Sequence, residues 1–404
     1  MKRYVIIGGG VASIGCIEGI RSKDKDCKIV LVGNEGYAYC RPLISYYMEG
    51  KTDFDKMKYR SEEFYQCIEL VRANADVVDA KARTVTACGK KFDYDELCIA
   101  TGSIPFIPNT DGYDSVKCKT SFMTESDAKY LDEVITPESR VLIIGAGLIG
   151  LKCAEGIVKR VASVKVCDLA DRVLSSILDK ECADYMQKIL EDNGVEFHLS
   201  NGVKKFENKR ALLNDGSVIE SDVLVTAVGV RANVALVKGT VDTDRGILTD
   251  IKQRTSNERI YAAGDCCQGY DASIDANRVV AIWPNAYMQG YTAGVNMAGG
   301  DETFDKGMPL NAIGFFKYHA LTAGAYKGER YESKDEKSLK RLFVENNRLV
   351  GFMLIGEFEN AGILTSLVRN KTPLDEVNFD ILKTSPSPVV WGEEKRKQIL
   401  GGVV

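Results

Sequence analysis

No Cys-x-x-Cys pair occurs in this chain although it carries 12 cysteines. That gap excludes zinc-ribbon, thioredoxin-like and iron–sulfur spacings together, and no metal site is expected. Histidine is scarce, with two in 404 residues. His198 lies in a strand-like run and His319 in an aromatic-rich one, without the serine and aspartate company of a hydrolytic triad. No stretch approaches the roughly 20 apolar residues of a membrane helix. Basic residues are not in excess: 53 Lys and Arg against 57 Asp and Glu leave a net charge of -4. Nucleic acid and membrane are therefore poor partner expectations. The apolar start Tyr4–Ile7 runs straight into Gly8 with no cleavage pattern, so a cytoplasmic location and reduced thiols are expected.

What the chain does have is a motif present twice. The length implies two or three domains. Near the start, the β-branched run Tyr4–Ile7 leads into Gly8-x-Gly10-x-x-Ser13 and then a helix-compatible stretch from Ile14 to Arg21. Val141–Ile144 leads likewise into Gly145-x-Gly147-x-x-Gly150 and a second such stretch to Arg160. In this pattern the first glycine permits a tight turn, the second lets backbone approach a pyrophosphate, and the third lets helix and strand pack closely. The helix N-terminus presents free N–H groups to the phosphates. Ser13 is the smallest polar replacement for the third glycine and is expected to loosen the packing slightly. Each copy has a second strand followed by a carboxylate, Glu35 and Asp168, where a ribose hydroxyl is expected. A carboxylate there repels a 2′-phosphate, so the second site should prefer NADH to NADPH. The fold class expected is α/β, with two Rossmann-like dinucleotide-binding domains.

Further segments carry a family resemblance. Tyr39-Cys40-Arg41-Pro42-Leu43 follows the first repeat, and Ile99-Ala100-Thr101-Gly102-Ser103-Ile104-Pro105 precedes the second. Ala227-Val228-Gly229-Val230-Arg231-Ala232-Asn233, then Ile260-Tyr261-Ala262-Ala263-Gly264-Asp265, then Trp283-x-x-Ala286-x-x-Gln289-Gly290 complete the series. In this order the chain resembles the FAD-dependent pyridine nucleotide-disulfide oxidoreductases, in particular the NADH:rubredoxin reductase and nitrite reductase FAD-module branch.

The resemblance implies an insertion topology: an FAD domain from residues 1–110 and 242–307, an NAD(P) domain at 111–241 between its halves, and a C-terminal α/β interface or dimerisation domain at 308–404. It implies that Gly8, Gly10, Val11, Ala12, Ser13, Glu35, Arg41, Pro42, Ala100, Thr101, Gly102, Gly264, Asp265, Trp283 and Gln289 hold FAD, with Asp265 on the ribityl chain. Gly145, Gly147, Leu148, Ile149, Gly150, Asp168 and Gly229 would hold NADH. The activity implied is NADH-dependent reduction of FAD, with electrons passing to a small carrier protein such as rubredoxin.

Two departures matter. Cys40 stands where NADH oxidases, NADH peroxidases and coenzyme A-disulfide reductases carry a redox cysteine, yet Arg41-Pro42 replaces the glycine that usually follows it. Relatives often carry a glutamate and a lysine beside the nicotinamide, and here those positions hold Lys152 and Tyr46. The alternatives are therefore an oxidase, peroxidase or disulfide reductase working through Cys40, or an FAD subunit of a larger redox complex. Either a monomer or a homodimer fits the sequence.

Overall fold

The structure is a computed structural model describing residues 1–335, 338–356, 359–384 and 386–400. Two five-stranded parallel sheets share the arrangement of four strands, and their fifth, edge strand comes last in the chain in the first sheet and first in the second. In the first, the strand order is Ile260–Ala262, Glu96–Ile99, Arg3–Ile7, Lys28–Val32, Ile68–Val71. The second runs Val195–His198, Ser163–Cys167, Arg140–Ile144, Val223–Thr226, Lys119–Thr120. Continuous β-branched runs suit strands covered on both faces, and four of the five residues in Arg3–Ile7 and in Arg140–Ile144 are buried.

The duplication holds bond for bond. Gly8 N donates to Val32 O at 2.7 Å and Gly145 N to Cys167 O at 2.8 Å. Ala100 N donates to Ile7 O and Ala227 N to Ile144 O, both at 2.7 Å. Each glycine turn is thus pinned from both neighbouring strands. The helices that follow are Val11–Lys23 and Leu148–Ile157, and their N-caps, Gly10 and Gly147, have extended backbone.

The first sheet takes four strands from before the second sheet and one, Ile260–Ala262, from after it. The chain crosses between them on two strands that pair antiparallel, Ser103–Pro105 with Val230–Ala232. A third, antiparallel five-stranded sheet spans residues 310–355 and is covered by helix Ala361–Arg369. Two of its strands are Leu339–Glu345 and Arg348–Ile355.

One apolar core spans all three sheets' territories. Ile44 and Met48 follow the Arg41-Pro42 segment, Leu151 and Ile157 belong to the second glycine-loop helix, and Phe315 and Ile355 to the third sheet; all six are buried in a single cluster. Arg160 reinforces it, with Nη1 on Met48 O at 2.8 Å and Nη2 on Asp132 at 2.6 Å.

Helix Val11–Lys23 lies directly on helix Trp283–Met297. A Cβ on Gly15 would stand 2.2 Å from Tyr287 O, and one on Gly19 2.3 Å from Tyr291 O. From the other side, a Cβ on Gly290 would stand 1.9 Å from Ala12 O and one on Gly294 2.0 Å from Cys16 O. Two glycine pairs at four-residue spacing therefore face each other. Small residues at such a crossing let backbones touch, and this contact sets where the N-terminus of the first helix stands.

Candidate functional site

Around the first glycine turn, three separate stretches of chain converge. Gly9 and Gly10 have nothing within 4 Å of where a Cβ would be, so this rim of the turn is open. Gly8 is the opposite case: its φ is +126 and a Cβ would stand 1.9 Å from Ala100 O. Val11 and Ala12 start the helix and are buried. Ser13 is fully buried, its N–H donates to Gly10 O at 3.1 Å, and its hydroxyl donates to Gly8 O. The packing expected to loosen at Ser13 is instead closed by that hydroxyl, which bonds the carbonyl against which a third glycine would lie.

The Gly264-Asp265 turn arrives from the late strand Ile260–Ala262. Gly264 has φ +83, its N–H donates to Gln289 Oε1 at 2.9 Å, and a Cβ there would meet Ala12 and Ala286. Gln289 thereby ties helix Trp283–Met297 to the turn. Ser103 Oγ donates to Asp265 Oδ2 at 2.9 Å. Burial raises the Asp265 carboxyl above its ordinary pKa, opposed by Ser103 and by the charge of Arg41. Thr101 Oγ1 donates to Asn233 O at 2.6 Å and Asn233 N to Gly102 O, so this corner is cross-linked to the returning strand. Gly229 lies there too, its carbonyl accepting from Phe106 N at 2.9 Å.

Arg41 and Glu35 form a pair at 2.7 Å, and Glu35 also accepts from Tyr39 Oη at 2.8 Å. Burial opposes the Arg41 charge, but Glu35, Tyr39 and Asp265 together raise its pKa. The guanidinium thus answers electrostatically to both carboxylates, Glu35 and Asp265, expected at opposite ends of the dinucleotide. Pro42 is the second residue of the short helical turn Arg41–Leu43. Beside them Gly9, Leu31, Gly33, Gly36, Leu70, Val71 and Arg72 line a surface groove. An open glycine rim, half-buried carboxylates and a partly exposed guanidinium together fit a pyrophosphate with a ribose at each side. Arg72, Ser103 and Tyr39 are not among the residues expected to hold FAD. Arg72 follows an edge strand with no motif, whereas Ser103 is the last residue of a recognised Ala-Thr-Gly-Ser element.

Trp283 opens its helix and packs edge to face on Tyr59 at 4.7 Å, with Arg60 4.2 Å above the Tyr59 ring.

At the second turn Gly145 has φ +108 and a Cβ would stand 2.3 Å from Ala227 O. Gly147 is open, and a Cβ on Gly150 would stand 2.0 Å from Gly145 O. Asp168 Oδ2 accepts from Ala146 N at 2.7 Å and Oδ1 from Ala170 N at 2.8 Å. Leu148 and Ile149 begin the helix, both half-buried. Lys152 is held by Glu155, by Gly314 O at 2.7 Å, and by the rings of Tyr46 at 5.5 Å and Phe315 at 5.1 Å. The glutamate–lysine pair expected of relatives is replaced by a cation over a tyrosine ring.

Cys40 is half-buried. Burial pushes its thiol above the ordinary range, opposed by the Leu43 N–H. All 12 cysteines are free, and the adjacent Cys266 and Cys267 are buried. Burial raises Cys266 to about 11 and Cys267 further. A raised pKa means little thiolate at neutral pH. Iodoacetamide is therefore expected to modify the exposed Cys67 and Cys88 first at pH 7, with Cys40 slow and still accelerating above pH 9. Peptide mapping against pH checks this, and Cys40 as the fastest site at pH 7 would contradict it. Among the described residues no group of three or more His, Cys, Asp or Glu is placed to hold a metal ion, and no helix is long and apolar enough to cross a membrane.

Two dinucleotide turns, cross-linked by short crossing strands, define a class of protein that joins a bound flavin to a nicotinamide nucleotide. The chain belongs to the pyridine nucleotide-disulphide oxidoreductase family, whose model matches residues 2–290. It is an NAD(P)H-dependent oxidoreductase with FAD and NADH as its cofactors. It is 29% identical over 415 residues to the NADH-dependent phenylglyoxylate dehydrogenase subunit epsilon of Aromatoleum evansii, covering 98% of this chain and 97% of that one. It is 32% identical over 279 residues to the rubredoxin-NAD(+) reductase of Alcanivorax borkumensis, covering 66% and 73%. The fold matches the reductase in a covalent putidaredoxin reductase–putidaredoxin complex with a TM-score of 0.87 at 20% identity, over 100% of this chain and 99% of that one.

Proposed function

We propose that this protein takes electrons from NADH through FAD to a small redox protein of the rubredoxin kind. The observation that carries the reading is the state of Cys40: a single half-buried thiol, raised in pKa, stands beside the Arg41-Pro42 segment and, among the described residues, has no basic partner to activate it. A thiol relay needs a low-pKa cysteine, so direct electron transfer out of the flavin is the simpler route. FAD, when bound, supplies the step from two-electron to one-electron chemistry.

The chain's own residues bind and orient. Under this reading residues 1–110 and 242–307 hold FAD, 111–241 hold NADH, and 308–404 form the interface domain. Gly8, Gly10 and Ser13 shape the first phosphate turn, Arg41 neutralises phosphate charge, and Glu35 and Asp265 hold hydroxyls. Gly145, Gly147 and Gly150 shape the second turn, and Asp168 favours a free 2′-hydroxyl.

A second reading has a specific observation behind it: the match to a dehydrogenase subunit runs over nearly the full length of both chains. In that reading the protein is the FAD subunit of a larger redox complex, and a stoichiometric partner copurifies with it.

Anaerobic titration of the yellow protein with NADH is the test. One equivalent of NADH is expected to bleach the long-wavelength flavin absorbance, NADPH to act far more weakly, and oxidised rubredoxin to restore the colour. Absence of bleaching by either nucleotide sinks the reading. Restoration by oxygen or a disulfide but not by rubredoxin, lost in Cys40→Ser, transfers it to the thiol route.

A further inference from the structure

Between Asp168 and the helix Lys180–Asp192, residues 168–179 fold back on the second glycine turn. Ala146 lies inside that turn and is held twice by this segment. Its N–H donates to Asp168 Oδ2 at 2.7 Å, and its carbonyl accepts from Leu174 N at 2.9 Å. Leu174 is almost fully buried and has φ 52, a conformation a branched side chain adopts only when its surroundings impose it. Leu178 N and Ile177 N both return to Leu174 O at 2.9 Å, and Arg172 Nε donates to Leu178 O at 3.1 Å.

The far end of the segment is anchored outside its own sheet. Asp179 caps the following helix by accepting from Cys182 N at 3.1 Å, and its other oxygen accepts from Arg341. Arg341 comes from strand Leu339–Glu345 of the third sheet, is 2% exposed, and also engages Glu181 and, at 2.7 Å, Glu332. A buried guanidinium held by three carboxylates has one geometry available to it.

We propose that Arg341 is a positioning residue for the adenosine half of NADH: through Asp179 it holds segment 168–179 against the Gly145 turn, keeping Asp168 at the ribose. This rests on the reading of Asp168 as the ribose carboxylate. The third sheet then acts on nucleotide binding through the Asp179 contact. Arg341 itself touches no reacting atom.

Asp179→Asn separates this role from helix capping, because asparagine caps as well as aspartate, and it leaves Arg341 with Glu181 and Glu332. With the FAD-loaded protein, calorimetry is expected to show ADP-ribose binding about tenfold weaker in Asp179→Asn, a loss of about 1.4 kcal/mol. The KM for NADH should rise by a similar factor with kcat unchanged. The KM for reduced nicotinamide mononucleotide, which lacks the adenosine, should not move. Arg341→Lys serves as a second variant with the same signature, since lysine keeps the charge but loses the fork. Unchanged ADP-ribose affinity in both variants, or equal rises in KM for the two nucleotides, overturns the proposal. Wild-type protein that binds ADP-ribose but is not reduced by NADH defeats the reductase reading instead and leaves this inference standing.

Discussion

Gly290→Val is expected to yield protein that has lost FAD. A Cβ at Gly290 stands 1.9 Å from Ala12 O, against the 3.4 Å at which ordinary contact begins, and the obstacle is backbone that no rotamer change can move. The two helices must part, carrying the N-terminus of Val11–Lys23 away from Gly264 and Gln289. Overpacking of a rigid contact costs about 3 kcal/mol at the upper end of the usual range. If that falls on the bound geometry alone, FAD affinity drops about a hundredfold. The check is the ratio of long-wavelength flavin absorbance to protein absorbance after gel filtration. Gly362→Ala is the control, because a Cβ there meets nothing within 4 Å. Full FAD occupancy in Gly290→Val would show that the helix crossing does not set the cofactor cradle.

Gly150→Val should give the complementary phenotype: yellow, folded protein that NADH does not reduce. Its Cβ would stand 2.0 Å from Gly145 O, inside the turn proposed to cradle the second pyrophosphate, while the first turn is untouched. NADH affinity is expected to fall about a hundredfold, since a β-branched side chain here adds off-rotamer strain to the clash, together worth about 3 kcal/mol. The first repeat predicts a graded series. There Ser13 has a Cβ at the equivalent position and bonds Gly8 O with its hydroxyl, so Gly150→Ser should weaken NADH less than Gly150→Val. Anaerobic titration against a constant FAD ratio reads the result. NADH bleaching of Gly150→Val at wild-type concentrations would remove the second turn from nucleotide binding.

Both glycine turns are legible in the order of amino acids alone. The glycine spacings after β-branched runs identify them, because only glycine tolerates φ near +126 or +108 with a neighbouring carbonyl against its Cα. The Gly15/Gly19 and Gly290/Gly294 spacings are equally visible, yet each pair alone says only that something packs closely. That they meet each other depends on residues roughly 275 positions apart arriving on one face. Arg72 carries no signal, since a basic residue after an edge strand is ordinary surface chemistry until the fold sets it beside Gly36.

Ser13 and Cys40 show the other limit. A serine in place of the third glycine reads as a small loss of packing, and only the buried hydroxyl bond to Gly8 O shows the turn rebuilt around it. A cysteine beside Arg-Pro reads as a candidate nucleophile, whereas its reactivity depends on the charges around it. Here none lowers its pKa. By itself the sequence determined the two glycine turns, because each depends on local backbone sterics within some 30 residues, and the family, through the order of motifs along the chain. Tertiary structure alone decided the helix crossing, the Arg41 position between two carboxylates, the burial of Cys40 and the Arg341 anchor. Each of these is a matter of burial and through-space charge between segments far apart in the chain, which no local pattern encodes.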